Sequence, residues 1–188
     1  MTEQQPYTVL GRYPGFELRH YPAHLLAQVT VNAGFDGAGD TGFRYLFAYI
    51  SGDNSAQAPP EPDLFGEGRG AMTLAMTAPV LLEPSPVPGA YSVAFVLPAG
   101  LTAGTAPVPE DPAVSILPVA GRTGAAVSFP GRWSEANYQE HLAQLQSAVA
   151  AEGFTPLGSP RFARFDPPYR PWFLRRNEVI QDVEGPGD

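Results

Sequence analysis

The run FELRHY, residues 16–21, alternates strictly. Phe16, Leu18 and His20 fall on one face of an extended chain; Glu17, Arg19 and Tyr21 fall on the other. A period of two predicts a strand. Pro22 ends it, and HLLAQVTV (24–31) predicts a second strand, joined to the first as a hairpin at a Tyr21–Pro22 corner. The period then changes. Phe43, Leu46, Phe47 and Ile50 stand at i, i+3, i+4 and i+7, the apolar stripe of a helix. Asp40 or Thr41 suits its N-cap, and Gly52 its stop. Residues 53–70 read as a Pro/Gly-rich loop. Residues 71–83 predict a strand with Met72, Leu74 and Met76 on one face, and residues 91–98 predict another. Residues 98–112, rich in Pro, Gly and Ala, form a connector.

The order of elements then recurs. Residues 113–120 and 124–131 predict two strands. The clearest helix lies within 133–153. Ser134 is its N-cap, Trp133 and Tyr138 form a hydrophobic staple, and Tyr138, Leu142, Leu145 and Val149 make its stripe. Gly153 stops it. PRFARFD (160–166) and NEVIQDV (177–183) predict the last strands. The chain reads ββαββ, connector, ββαββ, which implies an α+β domain with an antiparallel sheet.

Composition narrows the chemistry. With 44% hydrophobic residues, the 188-residue chain can bury one core. There is no cysteine, which excludes disulfides, thiolate metal sites and cysteine nucleophiles. All eleven basic residues are arginine, so lysine Schiff bases and a Walker A loop are excluded. A net charge of −8 argues against nucleic acid and anionic membranes as partners. No apolar run reaches the ~20 residues needed to cross a bilayer. The N-terminus lacks the pattern of a signal peptide, so a cytoplasmic location is expected. Five arginines fall between Arg161 and Arg176, a local basic segment in an acidic protein.

YTVLGRYPGFELRHYP, FRYLFAYISGDN, MTAPV, YSVAFVLP, PVPEDPAVSI and RRNEV occur in this order along the chain. Together they resemble the SOUL/heme-binding protein family, over roughly residues 7–183. The resemblance implies two pseudo-symmetric ββαββ halves, about 7–97 and 113–183, with a tail at 184–188. They would form a distorted antiparallel β-barrel flanked by two helices, like the gyrase-inhibitor-like ligand-binding domains. It also implies non-covalent binding of haem or another tetrapyrrole, for buffering, transport or sensing, without catalysis. The alternatives are a module for another small apolar ligand, or a hydrolase of the gyrase-inhibitor-like kind. The oligomeric state is left open.

In one branch of the family the histidine of RHY is the proposed axial ligand, and His20 stands there. The competing reading is a rim histidine bonded to a carbonyl. Phe43 and Phe47 on the first helix could wall a ligand cleft or simply pack on the sheet. Arg44, Arg175 and Arg176 are candidates for haem propionates, because guanidinium forks match carboxylates; each could equally pair with an acidic side chain. His24 and His141 read as structural, and Met72 and Met76 as core filler rather than axial ligands. Glu178 would be a general-acid candidate if buried and raised in pKa, and otherwise part of a strand-start clamp. Ser51 and Ser134 sit in no nucleophile elbow.

Overall fold

A computed structural model describes residues 2–57 and 70–185. Its first strands are β1 (Glu3–Gln4), β2 (Thr8–Tyr13), β3 (Phe16–Tyr21) and β4 (His24–Val31), followed by helix α1 (Phe35–Ser51). Next come β5 (Asn54–Ser55), β6 (Thr77–Ala78), β7 (Val80–Pro84), β8 (Tyr91–Val96), β9 (Val108–Pro109), β10 (Val114–Val119) and β11 (Arg122–Phe129). Helix α2 (Glu135–Ala151), β12 (Thr155–Arg164), a short 3-10 turn (Trp172–Leu174) and β13 (Asn177–Glu184) complete the chain. Nine strands form one antiparallel sheet in the order β10-β4-β8-β7-β12-β13-β11-β3-β2. The α+β class holds. The barrel does not: the sheet stays open, with β10 and β2 as its edges. Most of the loop expected at 53–70, and part of the tail at 184–188, lie outside the described residues.

The expected hairpin of β3 with β4 is corrected. Strand β3 pairs with β2 and β11, while β4 pairs with β10 and β8. A tight hairpin needs positive φ at its turn. The Pro22–Ala23 link offers none, whereas Gly15, at φ 91°, turns β2 into β3. The short link thus carries the chain from one part of the sheet to another.

Both helices pack on the same core. Alternation along the strands sends Leu25, Ala27, Val29, Val93, Phe95, Phe162 and Val179 into that core. The opposite face carries a smaller cluster around Tyr21, Leu26, Leu81, Ala94, Val96 and Ile180. It also holds the buried ions Arg19, Arg161 and Glu178.

Helix α1 starts five residues earlier than Asp40. Its N-cap is Gly34, which makes no side-chain cap bond, so no Asp, Ser or Thr marks the start. Glycines inside it lower its helix propensity, yet two of them are needed for packing. A Cβ on Gly42 would lie 2.4 Å from the Cβ of Val93, so the helix can approach β8 only without one. Gly42→Ala should therefore destabilise by about 1–3 kcal/mol through overpacking, despite alanine's better helix propensity. The cost of Gly42→Ala in thermal melts should shrink in a Val93→Gly background, because only glycine removes the Cβ that it meets. An unchanged cost would show that the clash is not the cause.

The strand expected at 71–83 is only realised from Thr77. Residues 70–76 are instead docked on Asn54, whose Nδ2 donates to Tyr49 O (2.6 Å) and Met72 O (2.7 Å), and whose Oδ1 accepts from Met72 N (2.9 Å). Leu74 is buried, but Met72 and Met76 are exposed and are not core filler. By contrast, α2 follows the pattern closely. Ser134 Oγ accepts from Asn137 N, and all four residues of the stripe are buried.

Candidate ligand-binding cleft

Strand β12 places Phe162 and Arg164 on the same helix-facing side of the sheet. Phe162 belongs there. Arg164 is a charged residue at a core position, and it is only 6% exposed. Its Nε and Nη2 have no hydrogen-bond partner among the described residues. Leaving a buried donor unsatisfied costs about 1–3 kcal/mol, and more for a charged one. Burial brings its pKa down to about 10, opposed by the charges of Asp40 and Asp36, so it stays cationic at neutral pH.

Three neighbours shape its seat. A Cβ on Gly39 of α1 would come 2.2 Å from Arg164 Nη1, so that glycine makes room for the guanidinium. The Trp133 ring lies 4.9 Å from Arg164 Cζ and 4.3 Å from Arg175 Cζ. Asn177, wholly buried at the start of β13, fixes that indole: its Oδ1 accepts from Trp133 Nε1 at 3.0 Å. Asp36 Oδ1 accepts from Glu135 N, tying the start of α1 to the start of α2.

Arg164 lines two adjoining cavities. One, of about 550 Å³, has walls from Phe43, Met76, Val80, Trp133, Phe165 and Tyr169. The other, of about 570 Å³, gathers Arg132, Arg164, Arg170 and Arg175 with Trp133 and Trp172. Asp40, Trp133, Arg164, Pro168 and Tyr169 line both. The result is an apolar, aromatic slot with a cationic end. It lies between α1 and the segment after β12. Arg175 braces that segment by donating from Nε and Nη2 to the carbonyls of Arg170 and Pro168.

The residues singled out in the sequence divide between this cleft and other places. Phe43 and Arg175 line it. Phe47 stacks on Phe43 at 5.5 Å but is 48% exposed and lines neither cavity. Arg44 lies with Asp53 and Asp111 in a separate cavity of about 330 Å³. Arg176 is turned away onto Glu178, with Nη2 2.6 Å from Oε1. His20 shares the parity of Phe16 and Leu18, but it is exposed near the end of β3, and neither cavity includes it.

The other two histidines are held locally. His24 Nδ1–H donates to Pro22 O (2.8 Å), and Nε2 accepts from Gln5 Nε2 (3.3 Å). Burial lowers its pKa, only partly offset by the Pro22 bond. His141 Nδ1–H donates to Asn137 O, and the ring stacks on Phe129 at 3.8 Å. Glu178 is saturated: it accepts from Arg19 Nη1 (2.8 Å), Ser128 Oγ (2.6 Å) and Arg176 Nη2. That is the clamp reading rather than a free acid. Among the described residues, no cluster of three or more His, Asp or Glu could hold a metal ion.

The sequence reading missed Arg164 and gave Trp133 only a stapling role. The available signal was the alternation of PRFARF, which sets Arg164 in register with Phe162.

Comparison with known proteins supplies the family. A family profile described as SOUL heme-binding protein matches residues 2–182. Heme-binding protein 1 of Mus musculus is 36% identical over 77 residues, 40% of this chain and 40% of that protein's length. Among solved structures, the C-terminal domain of EcmrR aligns with a TM-score of 0.59 at 12% identity, covering 95% of this chain and 98% of that one. A hydrolase from Listeria innocua aligns equally well, with a TM-score of 0.59 at 12% identity, covering 93% and 94%. At such identities these two likenesses show the fold alone. The profile match spans nearly the whole chain, and the protein belongs to the SOUL heme-binding protein family.

Proposed function

We propose that this protein binds haem or a related tetrapyrrole non-covalently and without catalysis, in the cleft between α1 and the segment following β12. The observation that carries the reading is the slot walled by Phe43, Met76, Val80, Trp133, Phe165 and Tyr169, with arginines at one end. Its size falls in the range of ~300–1,000 Å³ common to small-molecule sites. The residues suit the group. Apolar and aromatic walls would hold the macrocycle, and Arg164 and Arg175 would take its propionates. Tyr169 and Met76 are the cleft residues of axial-ligand type. When bound, haem would supply a redox-active iron, and the protein's part is to hold it and screen one face from water.

Haem titration followed in the Soret region tests this. Wild type is expected to saturate at one equivalent, and Phe43→Ala and Trp133→Ala to weaken binding by about tenfold or more. His20→Ala is expected to leave it unchanged. Loss of binding in His20→Ala alone would replace the cleft with a histidine-ligated site at the end of β3. The absence of saturable binding by wild type would favour another small apolar ligand.

A further inference from the structure

We infer that Arg164 makes the cleft selective for aromatic carboxylates, with the acid group taken by its guanidinium and the ring system lying among Phe43, Trp133 and Tyr169. This rests on the cleft being the binding site, but it requires neither a porphyrin nor a metal.

The argument begins with what Arg164 does not do. It is 6% exposed and pairs with no carboxylate at salt-bridge distance among the described residues. An arginine kept in an apolar setting without a partner is a poor structural choice, because an apolar side chain of similar volume would fill the space at less cost. The fold nevertheless makes room for it, by placing a glycine at position 39 where a Cβ would meet Nη1. Its unpartnered atoms are Nε and Nη2. These two donors lie on one edge of the planar guanidinium and can bind both oxygens of a carboxylate in parallel. Both atoms are shielded from solvent in this structure, and the residue borders both cavities, so binding requires the guanidinium to turn toward the slot. The centre of the Trp133 ring lies 4.9 Å from its Cζ, within cation–π reach.

Asp36 and Asp40 both act on Arg164 through space, and Asp40 lines both cavities. Arg132, Arg170 and Arg175 line the same end, so it stays cationic beside these two carboxylates and suits an anionic group. The apolar walls require the rest of the ligand to be aromatic or similarly flat.

Calorimetric titration with 1-naphthoate and 1-naphthalenemethanol tests the inference on wild type and Arg164→Met. Wild type should prefer naphthoate to the alcohol by about tenfold or more. Arg164→Met should bind acid and alcohol alike, while melting no lower than wild type because it removes an unpaired buried charge. Equal binding of acid and alcohol by wild type would overturn the inference, as would naphthoate affinity unchanged in Arg164→Met. Haem titration of the same two proteins separates this from the tetrapyrrole reading. Arg164-dependent naphthoate binding without haem binding would sink only the latter. Haem binding with no preference for the acid would sink only the former.

Discussion

Glu178→Ala is expected to cost about 3–5 kcal/mol of stability, read as a lower urea midpoint with an unchanged slope. Glu178 is 1% exposed and Arg19 is 3% exposed, and their charged atoms meet at 2.8 Å. Burial alone would lower the pKa of Arg19, but the hydrogen bond and charge of Glu178 raise it above its ordinary value. Tyr21, beside the pair, is pushed by burial to about 12, against the pull of Arg19. Removing the carboxylate leaves a buried guanidinium with Glu17, at the rim, as its remaining carboxylate partner, beside Tyr21 OH and the Tyr7 ring. The loss therefore reflects an abandoned charge more than the worth of the bond. Replacing both partners by methionine should recover much of the loss. If the double variant is no more stable than Glu178→Ala, the pair is holding the strands in place rather than merely cancelling a charge.

Phe162→Ala should be of similar size, about 3–5 kcal/mol. Phe162 is fully buried in the middle of the sheet order, on β12. Its ring lies 5.5 Å from Phe35 of α1 and 5.1 Å from Tyr138 of α2. One side chain therefore supports the first turns of both helices. It also lies 5.5 Å from Arg164 Cζ, beneath the cationic end of the cleft. Truncation should weaken ligand binding as well as lower the urea midpoint, whereas Phe162→Leu should keep most of both. A loss in Phe162→Ala below about 1 kcal/mol would mean that the surrounding rings collapse into the space.

Individual elements were more legible in the sequence than their arrangement. The stripe of α2 and its Ser134 cap were plain, because propensity, capping and periodicity agree there. The start of α1 was hidden, since Gly37, Gly39 and Gly42 weaken a helix in isolation, and Gly39 and Gly42 make sense only beside Arg164 and Val93. Strand pairing was the least readable. Nothing in YPAH announces that β3 and β4 part company, because partner choice is decided by β11 and β8, from 60 to 109 residues away. Within the cleft, Phe43 and Arg175 were found from the helix stripe and the basic segment. Arg164 was passed over because it was counted among the arginines instead of being placed in its strand's alternation. His20 drew notice for its chemistry and resemblance, but a side chain's type does not say whether a cavity faces it.

The open sheet has a consequence for self-association. Edge strands carry unpaired backbone groups that invite a neighbouring molecule to add a strand. Both edges here are interrupted. Pro118 removes one N–H from β10, and a register shift between Val9 and Gly11 bends β2. Exposed Leu10, Val9 and Leu117 would otherwise make these edges sticky. The irregularities let the protein keep an unclosed sheet without offering a template for fibrous growth.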